Sequence, residues 1–330
     1  MNLLFVGGGS GGHFFPCIEF IKYCLNKGNK CFYIGGKNKY EDKKKELIPC
    51  DFLLLNLHGF NNTISSGIKL MKSYFQNKKI IKKYILENKI DKVILFGNFE
   101  SLIVGLVARE FNIPYYIHEQ NSEFGRSNKI LLCKAKKIFT FFNIKFKYKN
   151  IYRVGNPRAI KKFHFKKNNK VLVILGSLGA SELIEKLIKY LDDYDKNITF
   201  VLGENVINNY QSKHKIVSFF DHSKDSFDNY DFIITRGGAT TISEIVGYAI
   251  PFLIIPSPNV INNHQEKNAL SIINHAGGEY LNESKVNKEN LTKIIDKYLS
   301  DSKLYFTTQV KLYNFTSSNT CERMYELINE

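Results

Sequence analysis

Residues 3–16 read Leu-Leu-Phe-Val-Gly-Gly-Gly-Ser-Gly-Gly-His-Phe-Phe-Pro. A short apolar run of strand type breaks into glycines and then enters a helical pattern. Glycine removes Cβ where a backbone must turn sharply and approach a ligand, and the helix start beyond it offers free N–H groups and partial positive charge. Phosphate or pyrophosphate is the usual occupant of such a loop. His13 closes the glycine run, where it faces whatever the loop holds.

The same strand–turn–helix grammar continues along the chain. Strand signals at 30–34, 51–55, 92–96, 114–118, 137–140 and 151–154 alternate with helical ones at 15–27, 66–88, 102–111 and 128–134. After Asn156-Pro157 the composition turns basic and polar, which predicts a solvated linker over 157–168. The opening then repeats in outline: a strand at 170–175, the turn Gly176-Ser177-Leu178-Gly179-Ala180, and a helix at 181–191 that Ser181 can cap. Further strands (198–202, 215–218, 231–235, 251–255) alternate with helices (240–249, 263–276), and the tail from about 288 is helical. With 330 residues, two domains of roughly 150 are the reasonable division. The predicted class is α/β: two Rossmann-like domains, 1–156 and 169–304, whose parallel sheets face each other across a cleft. Ligands in such sheets bind outside the carboxyl ends of the strands.

Composition narrows the function. No run approaches the roughly 18 apolar residues of a spanning helix, and the first apolar run ends in glycine instead of a cleavage site. The six cysteines include no C-x-x-C pair and no zinc spacing, so a reduced, cytoplasmic protein without a metal site is expected. The formal charge of +16 exceeds what a Lys/Asn/Ile-rich codon bias explains, and predicts attraction to something anionic. No nucleic-acid module signature is present, which leaves acidic lipid or a phosphorylated substrate.

Gly7-x-Gly9-x-x-Gly12 matches the dinucleotide fingerprint, but the acid that should hold a ribose about 20 residues on is missing: the second strand ends Tyr33-Ile34-Gly35-Gly36-Lys37. His118-Glu119-Gln120-Asn121 follows an apolar strand directly, at a ligand-facing edge; its bland alternative is a satisfied polar turn. In 235–244, Thr-Arg-Gly-Gly-Ala-Thr-Thr-Ile-Ser-Glu, the N–H groups after Gly238 could hold a phosphate, and Glu244 could accept from ribose hydroxyls. A plain helix start is the alternative there. Asn263-His264-Gln265 opens another helix, with amides and an imidazole suited to sugar hydroxyls or a base.

Taken in order, 8–16, 118–121, 154–157, 236–244 and 264–269 resemble the MurG family of glycosyltransferases. The resemblance covers most of the chain. It implies a GT-B fold with a C-terminal helix, about 305–330, returning to the first domain. It also implies transfer of N-acetylglucosamine from UDP-GlcNAc to undecaprenyl-pyrophosphoryl-muramyl-pentapeptide in peptidoglycan synthesis. By position it assigns Ser10, Gly11 and Gly12 to donor contact, Asn121 to the donor sugar, Ser177 to the neighbourhood of the diphosphate, Glu244 to the ribose, and His264 with Gln265 to the donor; Gly238 and Ala239 join them as the helix start that could hold a phosphate. Arg158 follows Pro157 directly, where the family has arginine one residue later. The family's Gly-Gly-Tyr-x-Ser-Gly-Pro loop reads Gly97-Asn98-Phe99-Glu100-Ser101-Leu102-Ile103.

The implied reaction is inverting and needs no covalent intermediate, cofactor or obligatory metal. His13 is the expected base, with Glu119 second. Helix 66–88 carries Lys69, Lys72, Lys78, Lys79, Lys82 and Lys83 with Ile68, Met71, Phe75 and Ile85 as its inward stripe, and predicts a peripheral face toward anionic lipid at the cytoplasmic side of the membrane. Three rivals stay open: a GT-B enzyme acting on diacylglycerol, a non-catalytic UDP-sugar-binding protein, and an NAD-dependent oxidoreductase.

Overall fold

The computed structural model describes residues 1–57, 59, 64–144, 146–165, 169–176, 180–203, 210–221, 224–260 and 263–330, with the side chains of 64–66 left aside. It divides into two compact units, Met1–Arg158 with Asn319–Glu330, and Ala159–Ser318.

In the first unit, β1 (Asn2–Val6) leads to α1 (Gly11–Asn26), β2 (Lys30–Gly36), α2 (Tyr40–Lys43), β3 (Asp51–Leu55), α3 (Ile64–Glu87), β4 (Lys92–Leu95), α4 (Asn98–Glu110), β5 (Tyr115–Glu119), α5 (Arg126–Leu131), β6 (Ile138–Thr140) and β7 (Ile151–Arg153). The seven strands are parallel in the order β3-β2-β1-β4-β5-β6-β7. Both faces are covered, so the central strands are continuous apolar runs instead of alternating ones. Leu4, Val6, Val93 and Leu95 pack on one face with Ile81, Ile85 and Val104. Leu3, Phe5, Tyr33 and Ile94 pack on the other with Phe14, Cys17, Ile21 and Met324.

The second unit runs β8 (Val171–Ile174), α6 (Ser181–Leu191), β9 (Ile198–Val201), β10 (Lys215–Val217), β11 (Phe232–Thr235), α7 (Ala239–Gly247), β12 (Phe252–Ile254), α8 (His264–Ala276), β13 (Glu279–Tyr280), α9 (Lys288–Ser300) and α10 (Ser302–Phe315). Its six parallel strands are ordered β10-β9-β8-β11-β12-β13. The order reverses between β1 and β4 in one sheet and between β8 and β11 in the other, which makes these the ligand-binding positions.

Three expectations need correction. Residues 159–164 are no solvated linker. His164 is fully buried, with Nδ1 3.0 Å from Asp228 Oδ1 and Nε2 2.9 Å from Asp231 Oδ1. Lys162 and His164 also donate backbone N–H groups to Gly247 and Tyr248. These long-range partners hold the segment on α7. Residues 166–168 lie outside the described residues.

The returning segment is shorter than 305–330. Helix α10 packs on α7, α8 and α9, with Tyr305 and Leu312 buried, and Gln309 donating to the His164 carbonyl at 2.8 Å. Only α11 (Thr320–Asn329) joins the first unit, where Met324, Leu327 and Ile328 enter the core beside α1. Asn319, at φ 62°, turns the chain into it.

The stripe of α3 keeps Ile85 inward as expected but is reversed ahead of it. Leu70, Tyr74, Ile81 and Ile85 face the core, whereas Ile68, Met71 and Phe75 are each 62% exposed. The helix carries two apolar stripes, and the one that fits beside α4 was buried.

Candidate active site

At the carboxyl end of β1 the chain passes through Gly7, Gly8, Gly9 and Ser10 into α1. Ser10 is extended and makes no side-chain cap, and its carbonyl accepts the N–H groups of His13 and Phe14. Gly9 adopts φ +76°, and a Cβ there would overlap the Asn98 amide. Gly97, across the switch point at φ +101°, lets His13 approach; its Cβ would stand 3.0 Å from His13 Cε1. The loop is thus gripped from β4 as well as from its own strand.

His13 ends a directed chain of hydrogen bonds. His118, fully buried and stacked on Phe96, donates Nε2–H to the Gly155 carbonyl at 2.9 Å. Its Nδ1 therefore accepts, and Gln120 Nε2–H donates to it at 3.0 Å. That orients the Gln120 amide, whose Oε1 lies 2.9 Å from His13 Nδ1. A carbonyl-type oxygen only accepts, so His13 donates from Nδ1, and the neutral form of the ring has its lone pair on Nε2. Burial, with a smaller contribution from the nearby His13, pushes the His118 pKa down to about 4 against the pull of the Gly155 carbonyl. His118 thus stays neutral at working pH. Gln120 was not singled out in the sequence, where one amide among four polar residues carries no signal of its own.

Glu119, the second candidate base, has another task. Oε1 accepts the backbone and side-chain N–H groups of Asn121 at 3.1 and 3.0 Å; Oε2 accepts Gly125 N–H and Asn128 Nδ2 at 2.9 and 2.8 Å. The carboxylate is 1% exposed and fully committed to bracing the turn that carries Asn121 into α5. Gly11 and Gly12 lie in the first turn of α1 beside His13. Arg158 is turned onto α1, its guanidinium 3.3 Å from Glu19 and over the Phe15 ring. Ion pair and ring contact together account for that placement.

In the second unit three junctions meet at neighbouring strand ends. Ser177 lies outside the described residues. After β11, Gly238 precedes α7 with Ala239 as first helical residue, and Glu244 sits half-buried on that helix. Gly237 lies against α8: a Cβ would come 2.1 Å from the Gln265 carbonyl oxygen, and Asn268 donates to the Gly237 carbonyl at 3.0 Å. His264 and Gln265 open α8, and Gln265 Oε1 accepts the Ser257 N–H at 2.9 Å. Buried Arg236 binds the Ile255 carbonyl and pairs with Glu283. The structure thus gathers Gly238, Ala239, Glu244, His264 and Gln265 at one sheet edge. It gathers Ser10, Gly11, Gly12, His13, Glu119 and Asn121 at the other unit's edge, with Arg158 apart on α1. Among the described residues, no group of three His, Cys, Asp or Glu side chains is placed to hold a metal ion.

Two doubly wound parallel-sheet units, each with a glycine junction at its switch point, define the GT-B class of glycosyltransferases. The solved structure of Acinetobacter baumannii MurG has the same fold, with a TM-score of 0.81 at 22% identity over 99% of both chains. The family models for the glycosyltransferase family 28 N-terminal and C-terminal domains match residues 3–140 and 170–322. The chain belongs to glycosyltransferase family 28. Curated relatives include enzymes of Bacillus pumilus (32% identity over 90% of each chain) and Pediococcus pentosaceus (29% over 99% of each). Both are named UDP-N-acetylglucosamine--N-acetylmuramyl-(pentapeptide) pyrophosphoryl-undecaprenol N-acetylglucosamine transferase.

Proposed function

We propose that this protein transfers N-acetylglucosamine, with inversion, from UDP-GlcNAc to undecaprenyl-pyrophosphoryl-muramyl-pentapeptide. The observation that carries this reading is the match over nearly the whole of both chains to enzymes named for that one transfer. The site geometry supports a mechanism. The acceptor hydroxyl attacks the anomeric carbon, the bond to the UDP oxygen breaks with its electron pair, and the hydroxyl proton passes to His13 Nε2. Positioned bases of this kind contribute on the order of 100-fold or more. In the second unit, the N-terminus of α7 after Gly238 supplies N–H groups and positive potential for the departing diphosphate. Glu244 would hold the ribose, and His264 with Gln265 the donor. Neither a metal nor a cofactor takes part in this scheme.

The outward stripe of α3 supports a peripheral seat on the membrane's cytoplasmic face. Ile68, Met71 and Phe75 stand exposed between Lys69, Lys72 and Lys79, apolar enough to enter a headgroup layer and basic enough to favour anionic lipid. No helix among the described residues is long and apolar enough to cross a membrane. Serine at 68, 71 and 75 should release the protein from anionic vesicles in sedimentation, while transfer to a water-soluble acceptor analogue stays unchanged. Equal sedimentation would remove this face from the account.

One assay tests the transfer itself. Labelled UDP-GlcNAc is incubated with lipid-linked muramyl-pentapeptide and, separately, with diacylglycerol. Product from the first alone is expected; product from the second alone would replace the acceptor.

A further inference from the structure

Beneath the first loop lie two buried carboxyl groups that the transfer does not use. Glu41, on α2, is fully buried; its Oε2 accepts Gly9 N–H at 2.6 Å and its Oε1 accepts Gly36 N–H at 2.7 Å. Gly8 turns its Hα to the same group, since a Cβ there would lie 2.3 Å from the carboxyl carbon. Glu100, in the first turn of α4, is also fully buried, and neither of its oxygens is hydrogen-bonded to another described residue. The two side chains converge. Oε1 of Glu41 and Oε1 of Glu100 each stand 3.2 Å from the point a Cβ on Gly36 would occupy.

We propose that Glu41 and Glu100 hold a single proton between them, and that this singly charged pair fixes the glycine loop that presents His13. Glu100 is then a positioning residue, acting through Glu41. Two N–H donors make Glu41 the anion of the pair. Glu100 is the acid: burial first, and the Glu41 charge second, raise its pKa to about 8, while its own backbone N–H and Lys39 oppose in part. The other titratable groups that interact with the pair are Tyr33 on β2 and Cys17 on α1, and Cys50, ahead of β3, interacts with both of these. Burial pushes the Tyr33 and Cys17 pKa values well up and that of Cys50 to about 12, so these stay neutral while Glu100 titrates. Once Glu100 ionises, two negative charges face each other in a closed site. Separation of the pair loosens the grip on Gly9 and Gly36, and the loop carrying His13 goes with it.

The sign of the linkage gives a test that does not need activity. Because the folded pKa lies above the unfolded one, the proton on Glu100 stabilises the fold fully at low pH, and this contribution is lost as pH rises toward about 8. Glu100→Gln, neutral at every pH, lacks that slope. The thermal midpoint of E100Q minus that of the unchanged protein should therefore grow between about pH 5 and about pH 8 and level off above. A gap independent of pH overturns the proposal. Should E100Q fail to fold, carboxyl NMR of the unchanged protein labelled at glutamate replaces it. One resonance titrating near pH 8 supports the pair, and all glutamates titrating in the ordinary range overturn it. The rate arm rests on the transferase reading: kcat/KM of the unchanged protein should fall about fivefold between about pH 8 and about pH 9 relative to E100Q. Parallel profiles would deny Glu100 its positioning role. Absence of transfer to any acceptor, with a carboxyl still titrating near pH 8, would overturn the transferase reading and leave the singly protonated pair standing.

Discussion

Gly7–Gly8–Gly9 in the first unit and Gly237–Gly238 in the second end parallel strands in the same way, each at a switch point and each opening a helix. Their surroundings differ in sign. The first junction is held by carboxyl groups: Glu41 takes the Gly9 and Gly36 N–H groups, and Glu119 braces the turn opposite. The second is set among an arginine, amides and the starts of α7 and α8. An acid already occupies the N–H that a phosphate would want in the first loop, and the helix start beyond it carries instead an imidazole whose Nδ1 is held by Gln120. A glycine pattern therefore identifies a place where backbone can approach a ligand, and the neighbours decide whether an anion or a proton is received there.

Substitutions at the two junctions should separate accordingly. His13→Ala is expected to lower kcat by about 100-fold or more with the KM for UDP-GlcNAc unchanged, in steady-state assays with saturating acceptor. A loss well short of that would remove the base from this loop. Gly237→Ala forces a Cβ onto the Gln265 carbonyl and must shift α7 against α8. The KM for UDP-GlcNAc should rise about tenfold, equivalent to ~1.4 kcal/mol, with a smaller change in kcat. Gln120→Ala removes one neutral hydrogen bond from each histidine, worth ~1 kcal/mol, so kcat should fall about fivefold without a change in donor KM. If Gln120→Ala instead matched the His13 loss, the relay would be the catalytic unit and the histidine only its end.

The alternation of short apolar runs with helical patterns makes the two parallel sheets legible in the sequence, because a strand buried on both faces must be apolar throughout. β1 at 2–6 and β4 at 92–95 follow that reading closely. What stayed hidden depends on partners far away in the chain. His164 sits in a run that reads as polar linker until Asp228 and Asp231 are brought to its ring nitrogens. Nothing local to Glu41 tells that Gly8, Gly9 and Gly36 will close over it, or that Gly36 will also meet Glu100. On α3, residues 68, 71 and 75 keep helical spacing as well as 70, 74 and 81 do, so periodicity alone could not choose the buried stripe. The site histidine was visible because it adjoins glycines; the amide that sets its tautomer was not.

The central claim is a division of labour, with proton removal at the first junction and donor binding at the second. Calorimetric titration of UDP-GlcNAc into the unchanged protein, His13→Ala and Gly237→Ala tests it without any turnover. The account predicts the same Kd for the first two and a Kd weaker by about tenfold for the third. Weakened binding in His13→Ala with unaltered binding in Gly237→Ala would contradict it, and would move the nucleotide to the first loop.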